Sequence, residues 1–269
     1  MTEAIGQPGA AALPRPMRIG EILGTGFQLY RRHWRTLLTI AAVVVVPITL
    51  LHYLFGDLVR TQGETTRNGV VETASWSVGI AGLVAALAGV LMYLVLTGAI
   101  TRAVAAEVAG EDPSVEQSYR FGFHRLGSVL LVSVLVGLAI VGGLILFIIP
   151  GIYIGVRLCV SIEALVVEGR RGTEAMGRSW GLVGGHWWHA FGTLVVGGLL
   201  TGIVNAVITT PFGNTSWFVQ AVAAAVATVV TLPYSALVGV LLYLDLRARK
   251  ESLTMEALKT DLQASAAGP

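Results

Sequence analysis

The chain has 269 residues, of which 54% are hydrophobic and only 13% are charged, whereas soluble domains carry about 25% charged residues. A soluble core of this length cannot use so much apolar surface, so the composition excludes an ordinary soluble domain and indicates an integral membrane protein. The formal net charge of +2 is too small to indicate nucleic-acid binding, and the single cysteine, Cys159, excludes a disulfide within the chain.

Both ends of the chain are predicted to be tails. The first sixteen residues, MTEAIGQPGAAALPRP, contain no apolar run of the kind found in signal peptides, so we expect a disordered segment there. The last residues, ASAAGP, are expected to form its disordered counterpart. After the first tail, apolar residues recur at helical spacing and predict an amphipathic helix, namely Ile22, Leu23, Phe27, Tyr30 and Trp34.

Six stretches are long and apolar enough to cross about 30 Å of hydrocarbon at about 1.5 Å per residue. The predicted spans are residues 36–55, 77–100, 127–149, 152–167, 189–210 and 218–244. We therefore expect an all-α membrane protein with a six-span membrane domain over residues 17–250. A cytoplasmic tail is expected at 251–269.

The fourth span is short and carries two charged residues, Arg157 and Glu163. One alternative is a single long bent segment over 127–167. We prefer a tight turn at Pro150 and Gly151, because proline cannot continue a helical hydrogen-bond ladder and glycine permits a chain reversal.

The distribution of basic residues predicts the orientation. Six spans place both termini on one side, and the opposite side has only Arg60 and Arg67. The terminal side collects fifteen basic residues, which predicts cytoplasmic termini in a cell membrane: Arg15, Arg18, Arg31, Arg32, Arg35, Arg102, Arg120, Arg125, Arg170, Arg171, Arg178, Arg247, Arg249, Lys250 and Lys259.

An amphipathic, tryptophan-ended segment occurs twice, as GFQLYRRHWR and as RSWGLVGGHWW. At an offset of 153 residues, Phe27 aligns with Trp180 and Trp34 aligns with Trp187. A fainter third copy is SVEQSYRFGFHRLGS, and each copy stands directly before a predicted odd-numbered span. The chain is therefore interpreted as three parallel repeats, each an interfacial amphipathic helix followed by two spans.

The repeat predicts an aromatic belt in the cytoplasmic interface, with basic side chains toward headgroups and aromatic rings toward acyl chains. Ordinary aromatic and basic flanks of membrane spans are the simpler alternative. The belt residues are Phe27, Trp34, Trp180, Trp187 and Trp188.

Two stretches, PGIYIGVRLCVSIEALVVEGRRGTEAMGRSWGLVGGHWW and LLYLDLRARKE, resemble the membrane domain attached to some glycerophosphoryl diester phosphodiesterases. The resemblance extends over about residues 18–251 and implies a six-span bacterial membrane module with no assigned biochemical role. In the fused proteins a separate soluble barrel of about 250 residues performs the hydrolysis. The longest polar stretch here, about residues 101–126, has no room for such a barrel, so the resemblance does not extend to the enzymatic activity.

The charges of the fourth span predict a polar cavity. Six residues at about 100° each leave Arg157 and Glu163 about 120° apart around a helix, so each needs its own partner. Residues at similar distances from the outer membrane surface can meet. On this basis Asn205 of the fifth span is the expected partner of Arg157, and Thr228 and Thr231 of the sixth span lie just above and below the depth of Glu163. Such a cavity would hold a lipid headgroup or a moving ion. The alternative is that Arg157 extends to the headgroups and Glu163 is neutral or hydrated.

Histidines on the predicted cytoplasmic side do not predict a metal site. His186 and His189 are three residues apart on a helix, but no Cys, Asp or Glu joins them as a third ligand. No catalytic residues and no cofactor are expected, since the chain has no phosphate-binding loop, dinucleotide fingerprint or nucleophile elbow.

The leading functional hypothesis is a non-catalytic membrane module that organises lipid or a partner protein at the cytoplasmic membrane. The expected partners are membrane lipids and a membrane or secreted protein. The alternative is a small transporter or lipid translocator that uses Arg157 and Glu163, and an intramembrane enzyme comes third.

Overall fold

The computed structural model of the protein describes residues 15–66, 74–110, 114–251 and 253–267. Of the tail expected at residues 1–16, only the last two residues fall within the described part. Throughout the described ranges, the regular secondary structure is helical.

Eleven α-helices and one 3₁₀ helix are described. They are α1 (Ile19–Arg32), α2 (Trp34–Thr66), α3 (Ala74–Val108), α4 (Val115–His124), α5 (Leu126–Leu146), α6 (Ile148–Arg157), α7 (Ser161–Glu168), α8 (Thr173–Val183), α9 (Trp187–Thr209), the 3₁₀ helix (Thr210–Phe212), α10 (Trp217–Glu251) and α11 (Met255–Ala267).

Six helical segments in the described ranges are long and apolar enough to cross a membrane, which confirms the predicted multi-pass helical class. They are Trp34–Leu54, Gly89–Val108, Leu126–Leu146, Ile148–Glu168, Trp187–Phe212 and Trp217–Glu251. Their number and order match the six predicted spans. Hydropathy identifies such segments well, because a spanning helix must be apolar along its whole length.

The reversal between the third and fourth spans lies at Phe147, three residues before the predicted turn at Pro150 and Gly151. Phe147 has an extended backbone, with φ −167° and ψ 157°, between α5 and α6. Pro150 instead lies in the first turn of α6, where its missing N–H removes no helical hydrogen bond. The tight turn itself is present, so one long bent segment over 127–167 is not.

Two glycines bring α5 and α6 into close contact. A Cβ atom on Gly143 would lie 2.9 Å from the Cα atom of Gly151, and Gly155 faces Ile140 further along the pair. The helices therefore pack antiparallel, with backbone against backbone.

The fourth span is not one continuous helix. It is broken between Arg157, where α6 ends, and Ser161, where α7 begins. Ser179 of α8 stabilises the break by bonding to backbone groups that the helix leaves unpaired there. Its hydroxyl donates to the Arg157 carbonyl at 2.9 Å and accepts from the Val160 N–H at 3.2 Å. The expected angle of about 120° between Arg157 and Glu163 assumed an unbroken helix and does not apply.

Helix α10 lies at the centre of the bundle and packs against α1, α2, α3 and α9. Its residues from Leu237 to Leu246 are buried almost throughout. By contrast, α5 and α9 expose large apolar side chains such as Leu138, Ile203 and Val207. An apolar outer surface of this kind is suited to contact with acyl chains.

Helix α1 packs lengthwise along α10. The Met17 N–H donates to Asp245 Oδ1 at 2.5 Å, Gly26 faces Leu241, and the Tyr30 hydroxyl donates to the Val230 carbonyl at 3.1 Å. The apolar stripe of this helix is thus divided between protein contacts and an exposed face.

The C-terminal tail contains an ordered helix, which corrects the expectation of a disordered end beginning at Ala264. Helix α11 continues to Ala267 and packs against α7, with Leu258 and Leu262 buried. The N–H of Ala257 donates to the Thr254 hydroxyl at 3.2 Å, so Thr254 caps the helix.

Candidate functional site

The structure does not bring Arg157 and Asn205 together. Arg157 lies against the junction of α8 and α9, and Tyr153, one turn earlier on α6, is stacked on Trp187. Asn205 is eighteen residues after Trp187, which places it about 27 Å along α9 at 1.5 Å per residue. The sequence estimate failed because it took Gly151 as the outer end of an unbroken span.

Glu163 also lies apart from its expected partners. Its Oε1 atom lies against α10 at Gly239, where a Cβ atom would be 2.5 Å away. Thr231 and Thr228 are eight and eleven residues earlier on α10, about 12 and 16 Å along the helix. The Thr231 hydroxyl donates to the Ala227 carbonyl at 2.8 Å instead. The five residues proposed for a polar cavity therefore do not share one site.

Arg157 instead lies in a niche of aromatic rings. Its guanidinium carbon is 4.4 Å from the ring centroid of Trp180 and 5.6 Å from that of Tyr153. Tyr153 is in turn stacked on Trp187 at 5.9 Å, and Trp187 is stacked on Phe191 at 5.0 Å. Cation–π contacts satisfy the faces of the guanidinium but not its N–H groups. The Arg157 Nε atom is buried without a hydrogen-bond partner in the described residues.

A second cation reaches the same junction from α10. The Lys250 Nζ atom donates to the Gly181 carbonyl near the end of α8. Arg157 Nη1 approaches the neighbouring turn, since a Cβ atom on Gly184 would lie 2.7 Å from it. The carbonyl end of α8 favours nearby cations electrostatically.

His186 lies at this junction, directly before α9. Burial, followed by the charges of Arg249 and Lys250, lowers the pKa of His186 below its ordinary value of 6.5. Its Nδ1 atom is buried and has no hydrogen-bond partner within the part of the chain that is described. The neutral form of the ring is therefore the favoured one.

The predicted belt residues are mostly exposed, and several have the guanidinium group of an arginine over their rings. Trp188 is 77% exposed, Phe27 54%, Trp34 47% and Trp180 40%. Arg35 lies 5.3 Å from the Trp34 ring centroid, and Arg31 lies 6.0 Å from that of Phe27. Trp187 differs from the others because it is half-buried within the stack of rings.

Sequence reasoning did not identify an ionic cluster that joins α7, α8, α10 and α11. Its members are Glu168, Arg170, Arg178, Arg247, Glu251 and Asp261. Glu168 accepts from Arg178 Nε at 2.8 Å, and Arg247 Nη1 donates to Asp261 at 2.8 Å. Hydrogen bonding to Glu251 raises the pKa of Arg178. Only the i,i+4 spacing of Arg247 and Glu251 was visible in the sequence.

Two histidine–carboxylate pairs connect neighbouring spans. His33 Nδ1 is 2.6 Å from Glu107 Oε1, and His189 Nε2 is 3.0 Å from Asp245 Oδ2. Each histidine lies near the start of one span, and each acid lies near the end of the next span. In the described ranges no three His, Cys, Asp or Glu side chains converge as a metal ion would need.

No known protein family, curated protein or solved structure matches the chain. The resemblance to the membrane domain of glycerophosphoryl diester phosphodiesterases therefore stays a prediction from the quoted residues.

Proposed function

We propose that the protein is a non-catalytic, six-span module of a bacterial cell membrane that organises lipids at the cytoplasmic face. The observation that carries this proposal is the set of exposed aromatic rings with arginines stacked over them, at Phe27, Trp34 and Trp180. Exposed tryptophan beside arginine suits the membrane–water interface, where the ring meets acyl chains and the cation meets phosphates. Both termini are cytoplasmic in this proposal.

The energetic scale fits a lipid-organising surface. A tryptophan buries about 150–250 Å² when it is covered. At about 25 cal/mol per Å², each ring then contributes a few kcal/mol at most. Several such rings together hold a lipid shell without needing a deep pocket.

The parallel repeat belongs to the same proposal. Three units would be α1 to α3, α4 to α7, and α8 to α10. In support, the pairs of His33 with Glu107 and of His189 with Asp245 each join the start of one span to the end of the next span in the first and third units, although the offset of 153 residues aligns His33 with His186. In the second unit the corresponding cation, Arg125, donates to the Ser265 carbonyl of α11 at 2.7 Å instead. A repeat about an axis along the membrane normal would bring all belt residues to one face.

The proposal is tested by the lipid that stays with the protein. Trp34→Ala and Trp188→Ala are combined, and the protein is extracted in polymer-bounded discs without detergent. We expect less phospholipid per protein than in the wild type. The matched control is Phe218→Ala, an aromatic ring of similar exposure on α10 that lies outside the belt. Equal lipid content in the belt variant, the control and the wild type would reject the proposal.

A small transporter or lipid translocator is the second candidate. It is favoured by charged atoms inside the fourth span, since Arg157 Nε and Glu163 Oε2 are buried and without hydrogen-bond partners in the described residues. Charged side chains within spans mark transport paths in many membrane proteins. Ion flux or lipid scrambling in proteoliposomes, absent in Glu163→Gln, would favour this function over the first.

A protein partner is also compatible with the module, as a membrane or secreted protein that uses the organised lipid. Affinity purification from native membrane, followed by proteomics, identifies such a partner. No nucleic acid is expected, given the net charge of +2.

A further inference from the structure

Two cations from different helices converge on the last turn of α8. A Cβ atom on Gly184 would lie 2.7 Å from Arg157 Nη1 and 3.2 Å from the Gly181 carbonyl. That same carbonyl accepts a hydrogen bond from Lys250 Nζ. Arg157 and Lys250 therefore both approach the C-terminal end of α8. We call Arg157, Lys250, Gly181 and Gly184 the junction site.

Arg157 has no acidic partner, unlike other arginines at the same end of the bundle. Among the described residues, no carboxylate forms an ion pair with it. Arg178, Arg247 and Arg249 each pair with a glutamate or an aspartate. A half-buried guanidinium without a counter-charge is costly, so the site favours an anion.

The donors of the junction site match a phosphate group. The planar guanidinium of Arg157 presents N–H groups that bind phosphate oxygens in pairs. Lys250 has three N–H donors, of which one is used by Gly181, so two remain. Arg249 is not available in the same way, because its Nε atom donates to Asp245 at 2.8 Å.

Exposed rings beside the cations indicate that the phosphate belongs to a lipid. Trp180, under Arg157, is 40% exposed, and Trp188, which contacts Trp187 of the same ring stack, is 77% exposed, while α6 and α9 carry further exposed apolar side chains. A free phosphate ion would leave these rings in water, whereas a phospholipid covers them with glycerol and acyl carbons.

We propose that the junction site binds the phosphate of an anionic phospholipid headgroup, with Arg157 and Lys250 as its cationic donors. The proposal rests on the lipid-organising function and names the lipid class that one of its sites selects. The remaining rings of the belt contact acyl chains without regard to headgroup charge.

The test is native mass spectrometry of the full chain in an uncharged detergent. The protein is titrated with phosphatidylglycerol, with phosphatidylcholine, and with phosphatidylglycerol in the presence of inorganic phosphate. For the wild type we expect phosphatidylglycerol to bind about tenfold more tightly than phosphatidylcholine, which corresponds to about 1.4 kcal/mol. Arg157→Gln is expected to remove this preference, and Lys250→Gln is expected to reduce it.

Lys259→Gln is the matched control, because Lys259 is an exposed cation like Lys250 but lies on α11, outside the belt and the junction site. It should keep the preference for phosphatidylglycerol. Folding of each variant is checked by thermal unfolding and near-UV circular dichroism. Because Lys250 is exposed, Lys250→Gln provides a readout even if Arg157→Gln does not fold.

Three outcomes overturn the junction site. They are equal binding of the two lipids by the wild type, an unchanged preference in both Arg157→Gln and Lys250→Gln, and displacement of phosphatidylglycerol by millimolar inorganic phosphate. The last outcome assigns the site to free phosphate. These failures leave total lipid retention by the belt unaffected, so they are distinguishable from failure of the proposed function.

Discussion

At the scale of single residues, neighbouring glycines in α5 have opposite roles. A Cβ atom on Gly143 would lie 2.9 Å from the Gly151 Cα atom, whereas a Cβ atom on Gly142 would meet nothing within 4 Å. Gly143→Ala should therefore destabilise the protein by about 1–3 kcal/mol through overpacking. Gly142→Ala should instead stabilise it by up to about 1 kcal/mol through helix propensity.

Thermal unfolding of both variants in the same detergent measures the difference. Equal shifts of Tm in the two variants would show that α5 and α6 do not touch at Gly143 in the membrane protein. The pair also explains what sequence reasoning missed at this turn. Proline and glycine were interpreted as the reversal, whereas the chain reverses through one extended residue, Phe147, and Gly151 serves close packing.

His186 gives a pH dependence whose sign follows from its lowered pKa. The unfolded chain binds the proton more readily than the folded chain, so stability is fully present above pH 6.5 and is lost as the pH falls below that value. The groups that act on the ring are Arg249, Lys250, Asp245 and His189.

The measurement is Tm against pH for the wild type and His186→Gln. The Tm of the wild type should fall relative to that of the variant as the pH is lowered from 7.5 toward 5.5. His124→Gln serves as the control, because His124 is exposed and its Nδ1 atom bonds only to the Arg120 carbonyl of its own helix. Parallel curves for wild type and His186→Gln would contradict the assignment.

At the scale of helices, α11 depends on tertiary contacts for its order. Leu262 is fully buried and Asp261 pairs with Arg247, while Gln263 is exposed. Leu262→Ala should cost about 2–5 kcal/mol of packing and detach the helix before the spans are affected. Hydrogen exchange of residues 255–267 should then rise in Leu262→Ala but not in Gln263→Ala. Unchanged protection in both variants would mean that α11 is held by other contacts.

The spans were predictable because their apolar length is a local property of the sequence, but α11 was not. Its local signals are a capping threonine, Thr254, and two leucines four residues apart, Leu258 and Leu262. Signals this weak also occur in tails. Helix α11 is ordered by its packing against α7 and by the ion pair of Asp261 with Arg247. Both of these partners are distant in sequence from the local helix signals.

At the scale of the whole molecule, the paired spans predict the topology. Reporter fusions at Gly110 and Gly172 should both report the cytoplasm, and a fusion at Asn214 should report the opposite side. If Gly110 and Gly172 fell on opposite sides, the third and fourth spans would not form a complete pair. The parallel repeat would then also be wrong.

The candidate site shows where sequence reasoning stops at this scale. Helical spacing placed Phe27, Trp34 and Trp180 on one helix face, and their rings are exposed, while the interfacial belt itself stays a prediction. The surroundings of Arg157 could not be predicted in this way, because they depend on how α6 packs against α8 and α9. Arg157 ends α6, directly before the break in the fourth span, and lies against Trp180 rather than the expected Asn205.

The break between α6 and α7 has a charged residue on each side, Arg157 and Glu163, and these charges affect how the chain enters the bilayer during synthesis. The fourth span carries Arg157 and Glu163, and each charge costs about 2.5–3.5 kcal/mol near the centre of an inserting helix. The third span, Leu126–Leu146, carries no charge. On its own, the fourth span should insert poorly through the lateral gate of the translocon. Together with the uncharged third span, against which α6 packs closely, it should insert efficiently as a helical pair. Glycosylation mapping in microsomes should therefore show efficient insertion of residues 126–168 together and inefficient insertion of residues 148–168 alone.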